Sequence, residues 1–213
     1  MSSDDPPHLM ALPGPAARGT AELRRCMTEL LELVGTHLPA RTVDAGSDEE
    51  EQRGALRVAL GYRYSDYPAE LPEPFFGALV RAAVRDPDPS LNRQFVEPLR
   101  AAFGARRTQE ALLEILTAGS DPERAGAARA WYWATLETFE DLQDRWNRAA
   151  LREFVAHDDL DVRRCVLPGL SLDPAGYPAE LQPLVAEAVR IARTHSDGYL
   201  RHRVELQVAD PNG

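Results

Sequence analysis

The string "YPAEL" occurs twice in the chain, at residues 67–71 and 177–181. The residues that follow also correspond, because "PFFGALVRAAVRD" from Pro74 aligns with "PLVAEAVRIARTH" from Pro183. Proline suits the first turn of a helix, where its missing N–H is not needed. Each copy therefore predicts a short turn followed by a helix whose apolar residues recur at helical spacing, and the pair indicates a repeated structural unit.

A second helix in each unit is predicted from aspartates, whose side chains accept hydrogen bonds from the free N–H groups at a helix start. Four such caps are predicted at Asp88, Asp121, Asp159 and Asp197. Their spacings of 33, 38 and 38 residues place two further units between the "YPAEL" copies. The pattern therefore predicts a solenoid of helix pairs with a period of about 37 residues.

The stretch "DLDVRRCVLPGL" from Asp159 resembles the HEAT-like α-solenoids, whose units are antiparallel helix pairs with an aspartate in the turn and a Val-Arg pair early in the second helix. The resemblance covers roughly residues 67–208. It implies an all-α fold, a right-handed α-solenoid of about four helix pairs, and concerns architecture rather than function. The stretch "DPERAGAARA" from Asp121 departs from the pattern, because small residues stand where large apolar ones are usual.

Two segments upstream of the repeat, "TAELRRCMTELLELVGTHL" and "QRGALRVALGYR", are predicted to be helices. We expect them to form an N-terminal cap over the apolar end of the first repeat. Residues 1–18 are predicted to be a disordered tail and residues 19–213 a single domain with an acidic linker near 41–51.

The net charge is −10, and every one of the 24 Lys and Arg residues is an arginine. Such a chain is expected to repel nucleic acid. Without a secretory signal or a long apolar run, we expect a cytoplasmic protein with no membrane partner. Cys26 and Cys165 are expected to be reduced and buried. The histidines do not pair at ligand spacing, so neither a metal nor another cofactor is predicted.

Arginines recur at the start of the predicted second helices, as Arg93, Arg163, Arg164, Arg201 and Arg203. One interpretation is a ladder in which each arginine bonds to the turn aspartate of the neighbouring unit. The other is a basic concave groove for an acidic partner.

The segment "WYWATLETFEDLQDRW", residues 131–146, places aromatic side chains beside carboxylates. A HEAT-like family of DNA glycosylases uses tryptophans with a carboxylate, which makes a nucleic-acid enzyme the alternative function. The acidic chain does not offer the basic surface that such enzymes need, and it contains no phosphate-binding glycine loop, G-x-S-x-G or H-E-x-x-H motif. The aromatic residues are otherwise expected to fill a wide joint between two repeats.

Trp131 and Trp133 are two residues apart and therefore point about 200° apart on a helix. A packed stripe is predicted at Ala125, Ala128, Tyr132 and Leu136. Trp133 then lies off the stripe, one turn after Arg129, where it can stack on the guanidinium and serve as an exposed contact residue. Burial of Trp133 in a repeat junction is the competing interpretation.

The sequence therefore predicts a non-enzymatic protein-binding module of the adaptor, regulator or toxin-immunity type. The candidate partner-binding residues are Arg129, Trp133 and the arginine series named above. We expect the partner to lie along the surface formed by successive second helices.

Overall fold

A computed structural model describes residues 17–37, 48–60 and 70–209, and these ranges contain ten α-helices and no strand. The helices are α1 (Ala17–His37), α2 (Glu49–Ala59), α3 (Pro74–Arg85), α4 (Arg93–Phe103), α5 (Ala105–Ala118), α6 (Asp121–Ala134), α7 (Glu140–Ala156), α8 (Leu160–Val166), α9 (Gln182–Thr194) and α10 (Gly198–Ala209). The all-α prediction is confirmed for these residues. In the same ranges, no helix has the length and apolar character needed to cross a bilayer.

The helices predicted after the two "YPAEL" copies are present. α3 begins at Pro74, and α9 begins at Gln182, one residue before Pro183. Leu79 of α3 and Ala188 of α9, which the alignment pairs, are both buried. Residues 67–69 of the first copy lie outside the described residues.

Two of the four predicted caps are confirmed. The Asp159 Oδ1 atom accepts a hydrogen bond from the Val162 N–H at 2.9 Å, ahead of α8. The Asp197 Oδ1 atom accepts one from the Leu200 N–H at 3.1 Å, ahead of α10. In both cases the bond satisfies a backbone donor that the first helical turn leaves free.

The other two caps lie at different residues. α6 already includes Asp121, and its N-cap is Ser120, whose N–H donates to Glu123 Oε2 at 2.8 Å. Glu123 reaches back to the helix start as in a capping box, which moves the helix boundary by one residue. Asp88 caps a turn instead, accepting from the Ser90 N–H at 2.7 Å, and α4 begins only at Arg93.

Both N-terminal helices are present, and each begins three residues earlier than predicted. α1 begins at Ala17, inside the predicted tail, and α2 begins at Glu49, inside the predicted linker. The Asp48 side chain accepts from the Glu51 N–H at 2.8 Å, and the acidic first turn of α2 is favoured by the helix dipole. The rest of the predicted tail and linker, residues 1–16 and 38–47, lies outside the described residues.

α6 packs against four helices, α3, α4, α5 and α8. Its buried residues are mostly small: Ala125, Gly126, Ala127, Ala130, Trp131 and Ala134. The predicted packed stripe was wrong, because Tyr132 is 68% exposed and Leu136 is 62% exposed. Neighbouring helices approach α6 so closely that alanine and glycine, rather than large apolar residues, form its packed face.

Helices that are two apart in the sequence contact each other. α5 contacts α7, and α7 contacts α9; α4, α6, α8 and α10 contact one another in sequence order. α1 contacts α2 and α3 at one end of the molecule.

Candidate functional site

A cavity of about 390 Å³ opens between α6, α7, α8 and α10. α6 contributes Arg129, Trp131 and Tyr132, and α10 contributes Arg203. The lining is completed by Ala128 of α6 and by residues from α7, α8 and the adjoining connections, namely Pro89, Thr135, Gln143, Trp146, Cys165, Pro168 and Gly169. Two of the predicted partner-binding residues, Arg129 and Arg203, therefore meet at one cavity although they are far apart in the sequence.

One wall of the cavity is a pair of stacked indoles. The rings of Trp131 and Trp146 are parallel within 5°, with their centroids 3.8 Å apart. Both side chains are buried, and the stack joins α6 to α7. This agrees with the interpretation that the aromatic residues fill a joint between helices, and it gives the cavity a rigid apolar wall.

The Arg129 guanidinium donates hydrogen bonds to two uncharged acceptors. Its Nε donates to the Asp86 carbonyl oxygen, and its Nη1 donates to Cys165 Sγ, both at 3.3 Å. No carboxylate among the described residues forms an ion pair with it. The predicted stacking of Trp133 on Arg129 was wrong, because Trp133 turns towards the α3–α4 connection.

Arg203 reaches the same cavity from α10. Its Nη2 donates to the Pro168 carbonyl oxygen at 3.3 Å, and its Nε is buried without a hydrogen-bond partner in the part of the chain that the structure describes. Like Arg129, it lacks a carboxylate partner there. Two guanidinium groups from different helices therefore border a largely apolar cavity, and their described hydrogen bonds go to carbonyl oxygens and a thiol rather than to carboxylates.

The Cys165 thiol at the cavity accepts the hydrogen bond from Arg129. Burial raises the pKa of Cys165, and the nearby Arg129 guanidinium opposes that rise. The thiol therefore stays protonated near neutral pH, where it is a poor nucleophile.

The described ranges contain no group of three or more His, Cys, Asp or Glu side chains arranged to hold a metal ion.

Trp133 and Arg93 lie beside the cavity. Trp133 is half-buried, and its Nε1 donates to the Pro89 carbonyl oxygen at 2.6 Å. The Arg93 guanidinium lies over the indole, 5.0 Å from the ring centroid. The exposed aromatic residue is Tyr132, which packs edge-on against Trp133 at a centroid distance of 4.9 Å. Exposure therefore favours Tyr132 over Trp133 as the aromatic contact residue.

The remaining candidate arginines lie away from the cavity. Arg163 is buried and pairs with Asp158 at 2.9 Å. Arg164 pairs with Asp197, the cap of α10, as the ladder interpretation predicts. Arg201 donates to the His195 and Ser196 carbonyl oxygens at 2.5 and 2.7 Å. These bonds hold α8 and α10 in place.

Sequence reasoning missed a second basic feature on α7. Arg145, Arg148 and Arg152 line a groove of about 620 Å³ between α5 and α7, facing Glu110 and Glu114. The three arginines are exposed. Their spacing of three and four residues places them on one face of the helix. This spacing is readable in the sequence, but α7 is not one of the predicted second helices at whose starts the candidate arginines lie.

No comparable spacing in the sequence marks the cavity residues that were not predicted. Cys165 and Gln143 acquire their place only when α6, α7 and α8 pack together. No protein-family model, curated protein or solved structure matches this chain.

Proposed function

We propose that this chain is a non-enzymatic protein-binding module whose contact surface is formed by α6, α8 and α10. The observation that carries the proposal is the cavity with two arginines that lack carboxylate partners among the described residues, together with the exposed side chain of Tyr132 in its lining. Tyrosine and arginine dominate binding energies at protein interfaces, and exposed apolar side chains beside them mark contact surfaces. The charges favour a partner segment that is acidic as well as apolar.

The helix contacts support a HEAT-like α-solenoid of four pairs for this module. The pairs would be α3 with α4, α5 with α6, α7 with α8 and α9 with α10, since the members of each pair touch. α1 and α2 would form the cap of the first pair. In such a stack, successive second helices make one continuous surface, which suits the binding of an extended partner. Adaptors, regulators and toxin-immunity proteins can all use such a surface.

The chemistry of the cavity favours binding over catalysis. Its described lining includes no Asp, Glu, His or Lys side chain, and these are the usual general acids and bases. The raised pKa of Cys165 argues against a thiolate nucleophile. A glycosylase-type enzyme would need a carboxylate beside the tryptophans, and the cavity wall formed by Trp131 and Trp146 has none.

Site-specific photocrosslinking tests the proposal. A p-benzoylphenylalanine replacing Tyr132 should crosslink to a partner protein in cells, whereas the same group replacing the exposed Glu114 on α5 should not. The crosslinked protein, once purified, should bind the unmodified chain and lose about tenfold or more in affinity to the variant Tyr132→Ser.

Equal crosslinking from the two positions would contradict the proposed surface. So would a purified partner that binds the Tyr132→Ser variant as tightly as the parent chain.

A further inference from the structure

We propose that the cavity receives an aromatic side chain and a neighbouring carboxylate from one segment of the partner protein. This inference rests on the proposed function and names the chemistry that the site recognises. Three features carry it: the size of the cavity, its two guanidinium groups and its aromatic wall.

Size limits the occupant. A cavity of about 390 Å³ lies near the lower end of the range for small-ligand sites, about 300–1,000 Å³. It can hold one aromatic side chain with an adjacent acidic group. A whole helix of the partner, about 10 Å in diameter, is too large to enter.

Charge selects an anion. Arg129 and Arg203 enter from different helices, and their described bonds go to carbonyl oxygens and to the Cys165 sulfur rather than to a carboxylate. A guanidinium matches a carboxylate in shape and binds it through charge-assisted hydrogen bonds.

The aromatic wall selects a flat apolar group. The Trp131–Trp146 stack fixes one side of the cavity, and Tyr132 stands exposed at its rim. Aromatic rings pack favourably against the edges and faces of other rings. The exposed Tyr132 side chain extends the apolar contact from the cavity to the surface, which favours a peptide segment over a free small molecule.

Titration of the full chain with matched probes tests this inference. The first pair of probes is the peptide acetyl-Gly-Phe-Asp-Gly-amide and its Phe-Asn counterpart; the second pair is 3-phenylpropionate and 3-phenylpropionamide. Binding is measured by calorimetry and by tryptophan fluorescence. The Phe-Asp peptide should bind about tenfold or more tightly than the Phe-Asn peptide, because the neutral amide cannot form the charge-assisted bonds.

Variants assign the effect to the cavity. Arg129→Gln and Arg203→Gln should each weaken the Phe-Asp peptide by about tenfold or more and remove the preference over Phe-Asn. Arg190→Gln is the matched control and should change neither quantity, since Arg190 is exposed on α9 and pairs with Glu187. The comparison of acid with amide uses the unmodified chain, so it does not depend on how the variants fold.

Three results would overturn the inference: equal binding of the acid and amide peptides, no saturable peptide binding up to about 5 mM, or binding of 3-phenylpropionate without binding of the peptide. The last result would assign the cavity to a free organic acid. Peptide binding without a Tyr132 crosslink would leave this recognition intact and refute the proposed function. A specific Tyr132 crosslink without peptide binding would refute this recognition and leave the proposed function intact.

Discussion

At the residue scale, Gly126 sets the distance between α3 and α6. A Cβ atom at this position would lie 1.9 Å from the Val84 carbonyl oxygen, so any side chain forces the two helices apart. We expect Gly126→Ala to lower the free energy of unfolding by about 1–3 kcal/mol, the usual cost of overpacking. Urea denaturation followed by circular dichroism measures it.

Gly54 is the matched control, since it also lies inside a helix but has nothing within 4 Å of a Cβ position. Gly54→Ala should leave stability unchanged or raise it by up to about 1 kcal/mol, because alanine favours the helix. Equal effects of the two substitutions would show that Gly126 is not a close-packing residue.

Asp86 is a second residue that connects distant parts of the fold. Its side chain is fully buried; Oδ2 accepts from Arg53 Nη1 at 2.6 Å and Oδ1 accepts from the Asp88 N–H at 3.0 Å. Because its carbonyl oxygen also accepts from Arg129, Asp86 links α2 to the helix that carries the cavity.

Burial raises the pKa of Asp86 above its ordinary value of 3.8, and the Arg53 guanidinium opposes the rise. A raised pKa in the folded state means that the folded chain binds the proton more tightly than the unfolded chain. The associated stability is therefore present below pH 3.8 and is lost as the pH rises through the pKa of the folded state. The asparagine of Asp86→Asn cannot titrate. We therefore expect the free energy of unfolding of the parent, minus that of the variant, to fall as the pH rises from 3.8 through the pKa of Asp86 in the folded state. Urea denaturation at a series of pH values measures it, and a constant difference would contradict the assignment.

At the scale of elements, α8 depends on its cap because it has only seven residues. Asp159→Ala should lower the free energy of unfolding by about 0.5–2 kcal/mol, since the Val162 N–H then loses its acceptor. Asp161→Ala removes the same charge from the first turn without removing a capping bond, and thermal denaturation should show a smaller loss. A larger loss for Asp161→Ala would mean that charge, not the capping bond, sustains the helix.

Local rules sufficed for helices that have an apolar face and a proline or aspartate at the start, such as α3, α8 and α9. They failed for the buried face of α6, because a helix enclosed by four others buries small residues and can leave Tyr132 and Leu136 exposed. The cap at Ser120 was missed because Asp121 and Pro122 offered a stronger local signal than the reach of Glu123 back to the helix start.

At the scale of the whole molecule, tertiary packing assembles the cavity. Its lining runs from Pro89 to Arg203, so no sequence window contains it. The sequence did predict that arginines matter, because Arg129 and Arg203 were both candidates. It could not separate them from Arg163 and Arg164, since their partners depend on which side chains the packed helices bring within reach.

The distribution of charge over the whole molecule predicts that the chain does not bind duplex DNA. The net charge is −10, and many arginines are already paired with carboxylates, as Arg53 is with Asp86. The exposed arginine row of α7 faces Glu110 and Glu114 across its groove. The net negative charge therefore disfavours contact with the phosphates, and binding should be weaker than about 10 μM in about 150 mM salt.

Fluorescence anisotropy with a labelled duplex measures the binding. Glu110 and Glu114, which line the groove opposite the α7 arginines, allow a test of whether electrostatic repulsion explains weak binding. The double variant Glu110→Gln and Glu114→Gln leaves the three arginines of α7 without facing carboxylates. If repulsion is the cause, this variant should bind the duplex more tightly than the parent chain at low salt, and the gain should disappear as salt is added. Micromolar binding by the parent chain at about 150 mM salt would contradict the prediction. It would also restore a nucleic-acid enzyme as the leading alternative, because the acidic charge is the main argument against one.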